Sequence, residues 1–294
     1  MKSDITIAII NYNYGRFLRQ AILSALRQEV DGLKIEIRVI DDGSTDCTAE
    51  VMAEFEKEPS IKWSRTENHG FAFSLSRAVS EAEGTYVFLL DADDYFAPTK
   101  VRKLLPFLKS GKLYVSDTST YVDEDGVIGG SGLSGSTSTI ALNQKAAATL
   151  LPVENEIYFS VFQKIGLGAQ LSDSHTCYRK HGSSMTNRKE PGKWNFYLSR
   201  VTHNLADRLI EMTAVNSRPT WMGSSERVRR VAFEYRAQAF YNELEAHLEN
   251  HSMSSAWRAL YLMFKWQIYS GVRPPVLYFK MIIKVAFGKP SFPK

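Results

Sequence analysis

The segment ITIAIINYNYGRFLRQAILSALRQ, residues 5–28, decides the fold. Its first six residues, ITIAII (5–10), are a short β-branched apolar run ended by polar NYNYG, the pattern of a strand buried on both faces. The remainder, RFLRQAILSALRQ (16–28), places apolar residues at 18, 22, 25 and 26, a helical repeat.

The same alternation continues downstream. KIEIRVIDDGSTD (34–46) alternates Ile35, Ile37 and Val39 before a carboxylate and glycine turn, and TAEVMAEFEKE (48–58) is helical. IKWSRTENHG (61–70) is a third strand and loop, AFSLSRAVSEAEG (72–84) a helix that Gly84 can end, and TYVFLL (85–90) a fourth strand. Strands alternating with helices over short connections predict an α/β fold, a Rossmann-like, mostly parallel sheet flanked by helices. Ligands of such sheets bind beyond the carboxyl ends of the strands. That rule sets Asn11–Asn13, Asp41–Asp42 and Asp91–Asp94 along one rim.

The fourth strand runs into YVFLLDADDYFAP (86–98), with three carboxylates in four positions: Asp91, Asp93 and Asp94. Like charges this close repel, and a hard divalent cation relieves the repulsion while it bridges protein carboxylates to a diphosphate. The competing reading is that Asp93 or Asp94 caps the helix TKVRKLLPFLK, with Pro98 in its first turn. Capping accounts for one aspartate, not three, and leaves the acidic pair at 41–42 unexplained. A phosphoacceptor receiver domain also uses acidic strand ends, but its pair would follow the first strand, not the second.

Four segments carry a family resemblance. ITIAIINYNYGRFLRQAILSALRQ, IRVIDDGSTDCT, ENHGFAFSLSRAVSEAEGTYVFLLDADD and YRKHGSSMT resemble, in that order, the family 2 glycosyltransferases of GT-A fold, over roughly residues 4–187. The resemblance implies a metal-dependent, inverting transfer of a sugar from a nucleotide diphosphate donor to an acceptor hydroxyl, with Mn²⁺ or Mg²⁺ as cofactor. It casts Tyr12 as the aromatic on the nucleotide base and Asp42, beside Asp41, as the acidic contact to base or ribose. Asp91 and Asp93 match the ends of the D-x-D motif, Asp93 as direct metal ligand, and Asp94 lies near the ribose or sugar. Asn68 and Gly70 match a loop over the donor. For Asn11, Asn13 and Gly15, turn chemistry is as good an account as ligand contact.

The general base departs from the family pattern. Ungapped alignment of the segment ahead of YRKHG puts the catalytic aspartate at Asn155, whose amide cannot accept the acceptor's proton. Glu154 and Glu156 flank it, and a one-residue slip brings Glu156 into register at the start of an expected helix, 156–165. Glu156 is the first candidate and Glu154 the second; otherwise both are favourable charges at a helix N-terminus. In CYRKHGSSMTN (177–187), Arg179 and His181 fall on one side of an extended segment, an arrangement suited to diphosphate or metal. GGSGLSGSTST (129–139) reads as a mobile loop on the acceptor side.

Composition bounds the rest. The 294 residues are 44% hydrophobic and 23% charged, ordinary for a folded chain. We expect a catalytic domain at 1–190 and a helical region at 191–294. Two distant cysteines, Cys47 and Cys177, read as reduced thiols. No secretory signal and no membrane-spanning run is expected, so the expected location is cytoplasmic, including the cytoplasmic face of a membrane. The net charge of +4 is uneven: residues 251–294 hold seven Lys/Arg and no Asp/Glu, leaving about −3 for the rest. A helix is expected at 227–250, and AWRALYLMFKWQIYSG (256–271) and VLYFKMIIKVAFGK (276–289) mix basic residues with large hydrophobics. Residues 256–289 therefore suit a membrane surface, with packing on the catalytic domain or a homo-oligomer as the alternatives. The same interleaving, without any nucleic-acid motif, argues for no nucleic acid partner. Expected partners are a nucleotide-diphosphate sugar and a glycan or lipid-linked acceptor. Because of Asn155, the second function is a catalytically idle relative acting as a nucleotide-sugar-binding or membrane scaffold.

Overall fold

The computed structural model describes residues 3–30, 32–123, 127–182, 190, 192–215 and 218–271. The chain divides into two compact units, residues 1–182 and 183–294. In the first, β1 (Ile5–Asn11), α1 (Gly15–Leu26), β2 (Ile35–Asp41), α2 (Thr48–Ala53), β3 (Ile61–Arg65), α3 (Phe71–Ser80) and β4 (Tyr86–Asp91) alternate as the hydrophobic pattern predicts. They are followed by β5 (Tyr95–Phe96), α4 (Lys100–Lys109), β6 (Tyr114–Val122), β7 (Val127–Ser134), β8 (Ile140–Asn143), α5 (Gln144–Ala148), α6 (Val161–Lys164) and β9 (Gly168–Arg179).

One sheet runs through the unit in the order β3-β2-β1-β4-β8-β6-β9-β5, with β7 paired to β6. Its first half is parallel: β1 pairs with β2 and β4, and β2 with β3. Its second half is mixed, since β8 is antiparallel to both β4 and β6 while β6 and β9 are parallel. The α/β class is as expected, and the predominance of parallel pairing holds only for the half whose strands connect through helices. β1 is buried along its whole length, which is why its sequence is apolar on both faces apart from Thr6 and Asn11, whose side chains are hydrogen-bonded. Ile5, Ile7 and Ile9 face Leu18, Ala21 and Ile22 of α1 and join Phe88, Leu90, Val101, Leu104 and Leu105 in one core. Burying side chains of this size contributes roughly 1.5–3 kcal/mol each, enough to hold the register of the central strands.

Two segments differ from expectation. The Gly/Ser-rich stretch begins in β7, which pairs with β6 across register shifts at Thr118/Thr120 and Thr120/Val122, and ends in a 3₁₀ turn, Thr137–Thr139. Gly129 and Gly130, both at φ 87°, supply backbone that a regular strand would not need, so composition alone reads as a loop. The helix expected over 156–165 is a 3₁₀ turn, Glu156–Ser160, continued by α6.

The second unit holds α7 (Lys193–Ala214), α8 (Ser225–Glu249) and α9 (Met253–Ser270). Leu244 of α8 packs with Ala256, Ala259, Leu260 and Met263 of α9. Ser224 starts α8 by accepting a hydrogen bond from the Arg227 amide. The helix expected at 276–289 lies outside the described residues. Among those described, no helix is long and apolar enough to cross a membrane. Both cysteines are free.

Candidate functional site

Parallel pairing brings the strand ends to one edge: Asn11 lies beside Asp41, and Ile10 beside Asp91. The groups gathered there form two halves with different chemistry.

The first half is a lattice of hydrogen bonds between the loops after β1 and β2. Asp41 is buried, and its Oδ1 accepts from Asn11 Nδ2 at 3.0 Å and from the Ser44 amide at 3.3 Å. Ser44 Oγ accepts in turn from the Asn13 amide at 2.8 Å. Asn13 Oδ1 accepts from the Thr45 amide at 2.8 Å. Asp46 accepts from the Gly15 amide at 2.8 Å and the Thr48 amide at 3.1 Å, so one carboxylate holds the starts of α1 and α2. Burial alone would raise the Asp46 carboxyl, but these amides and the Thr48 hydroxyl together hold it below its usual range. Asp42 receives the His69 amide at 2.9 Å and the Gly70 amide at 2.8 Å, tying the end of β2 to the loop that starts α3. Gly43 allows the crossing: its φ is 82°, and a Cβ there would stand 2.9 Å from the Asn68 nitrogen and the Thr66 oxygen. Asn11 and Asn13 thus spend their side chains on turn contacts, and Asp41 and Asp42 on loop contacts. Tyr12, 46% exposed, and Asn68 stand on the open side of the rim.

The second half is acidic. Ser138 Oγ donates to Asp94 Oδ2 at 2.6 Å and accepts from the Asp91 amide at 3.0 Å. Asp94 Oδ1 takes the Arg179 amide at 2.9 Å. Asp94 therefore does not cap α4, which excludes the simplest alternative for that residue. Burial, then the neighbouring carboxylates, raises Asp91 and Asp94 well above the usual range; Asp93 acts on both, and Glu156 acts on Asp91. Burial and the same three aspartates also push up the Tyr14 phenol.

Asp93 is approached twice, from the last residue of β9 and from the segment just after it. Arg179 Nε donates to its backbone oxygen at 3.0 Å, and His181 Nε2 lies 3.0 Å from its Oδ2. The His181 ring is enclosed by Tyr14, at 5.4 Å between centroids, and Phe17, at 4.8 Å. The Arg179 guanidinium also meets the Asp123 carbonyl at 3.2 Å, Gln20 Oε1 at 2.6 Å, the Phe17 ring at 4.7 Å and the Tyr95 ring at 5.7 Å. It faces inward, as a brace for the D-x-D turn.

Around the position where the sequence leads one to expect a base, Asn155 caps the 3₁₀ turn by accepting from the Ile157 amide at 3.0 Å. Tyr158 donates its hydroxyl to Glu154 Oε1 at 3.2 Å. Glu156 is the member of the pair whose charge reaches Asp91. The site thus brings together Asp91, Asp93, Asp94, Glu156, His181 and Arg179, while Tyr12, Asn68, Gly70, Asp41 and Asp42 belong to the neighbouring loops.

Among the described residues, no group of three or more His, Cys, Asp or Glu side chains is already drawn around one cation position. The donor set nevertheless fits a hard ion. Its atoms are carboxylate oxygens, they repel one another, and two of them sit at D-x-D spacing, leaving further ligand positions to phosphate and water.

Residues 6–153 match the profile of glycosyl transferase family 2. The chain belongs to that family. It is 36% identical over 125 residues to a chondroitin synthase of Pasteurella multocida, a match covering 42% of this chain and 13% of that protein. It is 31% identical over 126 residues to an Escherichia coli protein, the UDP-Glc:alpha-D-GlcNAc-diphosphoundecaprenol beta-1,3-glucosyltransferase WfaP, covering 43% of this chain and 49% of the relative. The match therefore spans about half or less of either relative. Among solved structures, S. aureus TarS 1–349 in complex with UDP-GlcNAc superposes with a TM-score of 0.61 at 14% identity, covering 98% of this chain and 93% of that one. A mannosyltransferase from Pyrobaculum calidifontis, in complex with GDP-Man and Mn²⁺, gives 0.53 at 14% identity over 99% and 89%. At such identities the superpositions establish the fold alone.

Proposed function

We propose that this protein transfers a sugar, with inversion, from a nucleotide diphosphate to the hydroxyl of a glycan or lipid-linked acceptor. The observation that carries the reading is the gathering of Asp91, Asp93 and Asp94 at the carboxyl edge of a parallel sheet, where burial and the charges of Asp93, Asp94 and Glu156 raise the Asp91 carboxyl, and burial and Asp93 raise that of Asp94. The names of the relatives support the substrate class: one uses a UDP-sugar and a polyprenyl diphosphate acceptor, and one solved neighbour holds GDP-mannose with Mn²⁺.

Asp91 and Asp93 would hold Mn²⁺ or Mg²⁺, with His181 beside Asp93 as a further donor. When bound, the cation offsets charge on the departing diphosphate. Asp94, Ser138 and Arg179 brace the two ligands. Tyr12 offers its exposed ring to the base, while Asp41 and Asp42 act through the loops they hold, Asp42 by setting Asn68–Gly70 over the donor. Glu156 takes the acceptor's proton as the acceptor oxygen bonds to the anomeric carbon and the bond from that carbon to the diphosphate oxygen breaks.

The full chain, supplied with Mn²⁺ and a panel of UDP- and GDP-sugars, should release nucleoside diphosphate, at least slowly into water. Asp93→Ala should abolish release. Donor binding without turnover, over all donors and plausible acceptors, would instead support the idle scaffold.

A second observation bears on location. α9 exposes Trp257, Tyr261 (68%), Ile268 (73%) and Tyr269 on the face that also carries Arg258 and Lys265. Aromatic, aliphatic and basic groups without one acidic residue suit the surface of an anionic bilayer. Trp266 is not part of this face, since it packs 5.4 Å from the Phe233 ring with the Arg236 guanidinium 5.4 Å from its own ring.

A further inference from the structure

Behind the acidic site lies a lysine that the mechanism leaves unused. Lys100, the first residue of α4, is fully buried. Its ammonium has three protons and three acceptors: Asp117 Oδ1 at 2.8 Å, the Ser138 carbonyl at 2.8 Å and Thr176 Oγ1 at 2.7 Å. Asp117, also fully buried, accepts the His175 amide at 2.9 Å through its other oxygen. One ion pair therefore fastens α4, β6, the 3₁₀ turn 137–139 and β9 at a single point.

The consequence for the site runs through Ser138. Lys100 fixes its carbonyl, and the same residue's hydroxyl bridges the Asp91 amide and the Asp94 carboxylate. We propose that Lys100, paired with Asp117, is a positioning residue that sets the D-x-D turn through Ser138, which holds the Asp91 amide and the neighbouring Asp94 carboxylate. The proposal rests on the metal-binding role given above to Asp91 and Asp93. Stability alone is a weak explanation for such a pair. Removing two charges from water is costly, and apolar replacements of similar volume are often neutral or stabilising. What an apolar pair cannot do is hold a carbonyl at hydrogen-bond distance and so orient the serine that carries it.

The test is Mn²⁺ binding to the full chain without donor, followed by the electron paramagnetic resonance of free Mn²⁺. Thermal unfolding and near-ultraviolet circular dichroism run beside it. Lys100→Met and Ser138→Ala should each weaken Mn²⁺ binding tenfold or more while the dichroism stays that of the parent. At saturating Mn²⁺, turnover should recover more than affinity does. Lys100→Arg should fall between, since the charge is kept and the geometry is not. A folded Lys100→Met with Mn²⁺ affinity within twofold of the parent overturns the proposal. Should Lys100→Met not fold, Ser138→Ala decides by the same criterion, because it leaves the ion pair intact. A parent protein that binds no Mn²⁺ would remove the metal reading and this inference together; a parent that binds, with unaffected variants, removes only the inference.

Discussion

Asn155 occupies the place where the family resemblance puts a carboxylate, and its amide oxygen is engaged in capping the turn that carries Glu156. An aspartate at 155 would cap equally well, so Asn155→Asp should fold, and it separates two accounts of the base. If Glu156 is the base, Glu156→Gln should lower transfer by about 10²–10⁴-fold, and adding Asn155→Asp should not restore it. Recovery in the double variant, measured as nucleoside diphosphate released per enzyme, would move the role to position 155. The three aspartates are legible in the sequence because clustered charge after an apolar strand has few purely structural uses. Glu156 is legible only as one of a pair, since nothing local tells which of the two glutamates brings its charge to bear on Asp91. Lys100 and Ser138 give no signal. The lysine resembles any cation on an amphipathic helix, and the serine lies in a stretch whose composition reads as loop.

At the scale of elements, legibility follows the distance over which a contact must be inferred. β1 to β4 can be read because each is joined to the next by a helix that fixes its direction. The pairing of β6 with β8 and β9, and the placement of β5 against β9, depend on contacts between distant segments, and nothing local announces them. The apolar and basic character of α9 is legible, but which of its aromatics face outward is not. Trp257 and Trp266 read alike in sequence, and only packing on Phe233 distinguishes them. This yields a selective prediction. The full chain should float with vesicles containing phosphatidylglycerol and not with phosphatidylcholine alone, and about 0.5 M salt should release it. Replacing Trp257 and Tyr261 by Ser should abolish flotation with little loss of thermal stability, whereas Trp266→Ser should lower stability. Flotation indifferent to Trp257 and Tyr261 would discard the α9 face, and concentration-dependent self-association lost in the same variant would assign it to a second copy.

For the whole molecule, charge enters the folding balance with two signs. Glu36 is buried, yet hydrogen bonds from Thr6 and the Glu83 amide, together with the Arg38 guanidinium, outweigh burial and hold its carboxyl below the usual range. Asp46 behaves likewise. For both, the unfolded chain takes up protons first, so their contribution is complete above about pH 4–5 and is lost as pH falls through the lower folded values. Asp91 and Asp94 have the opposite sign. Their raised folded values mean that ionising them at neutral pH costs stability, and protonation removes that cost. A divalent cation that binds only the folded state relieves the same repulsion. At 100 times its dissociation constant it would add about 2.7 kcal/mol, or roughly 5–10 °C for a unit of this size. Calorimetry of the full chain should therefore show the transition of the 1–182 unit rising by several degrees with Mn²⁺ over EDTA at pH 7.5. The rise should shrink near pH 5, where protons compete for the same oxygens, and vanish in Asp91→Asn/Asp93→Asn, whose metal-free transition should lie above that of the parent. A double variant no more stable than the parent without metal would mean that the carboxylates do not repel, and the cation would lose its physical reason for being there.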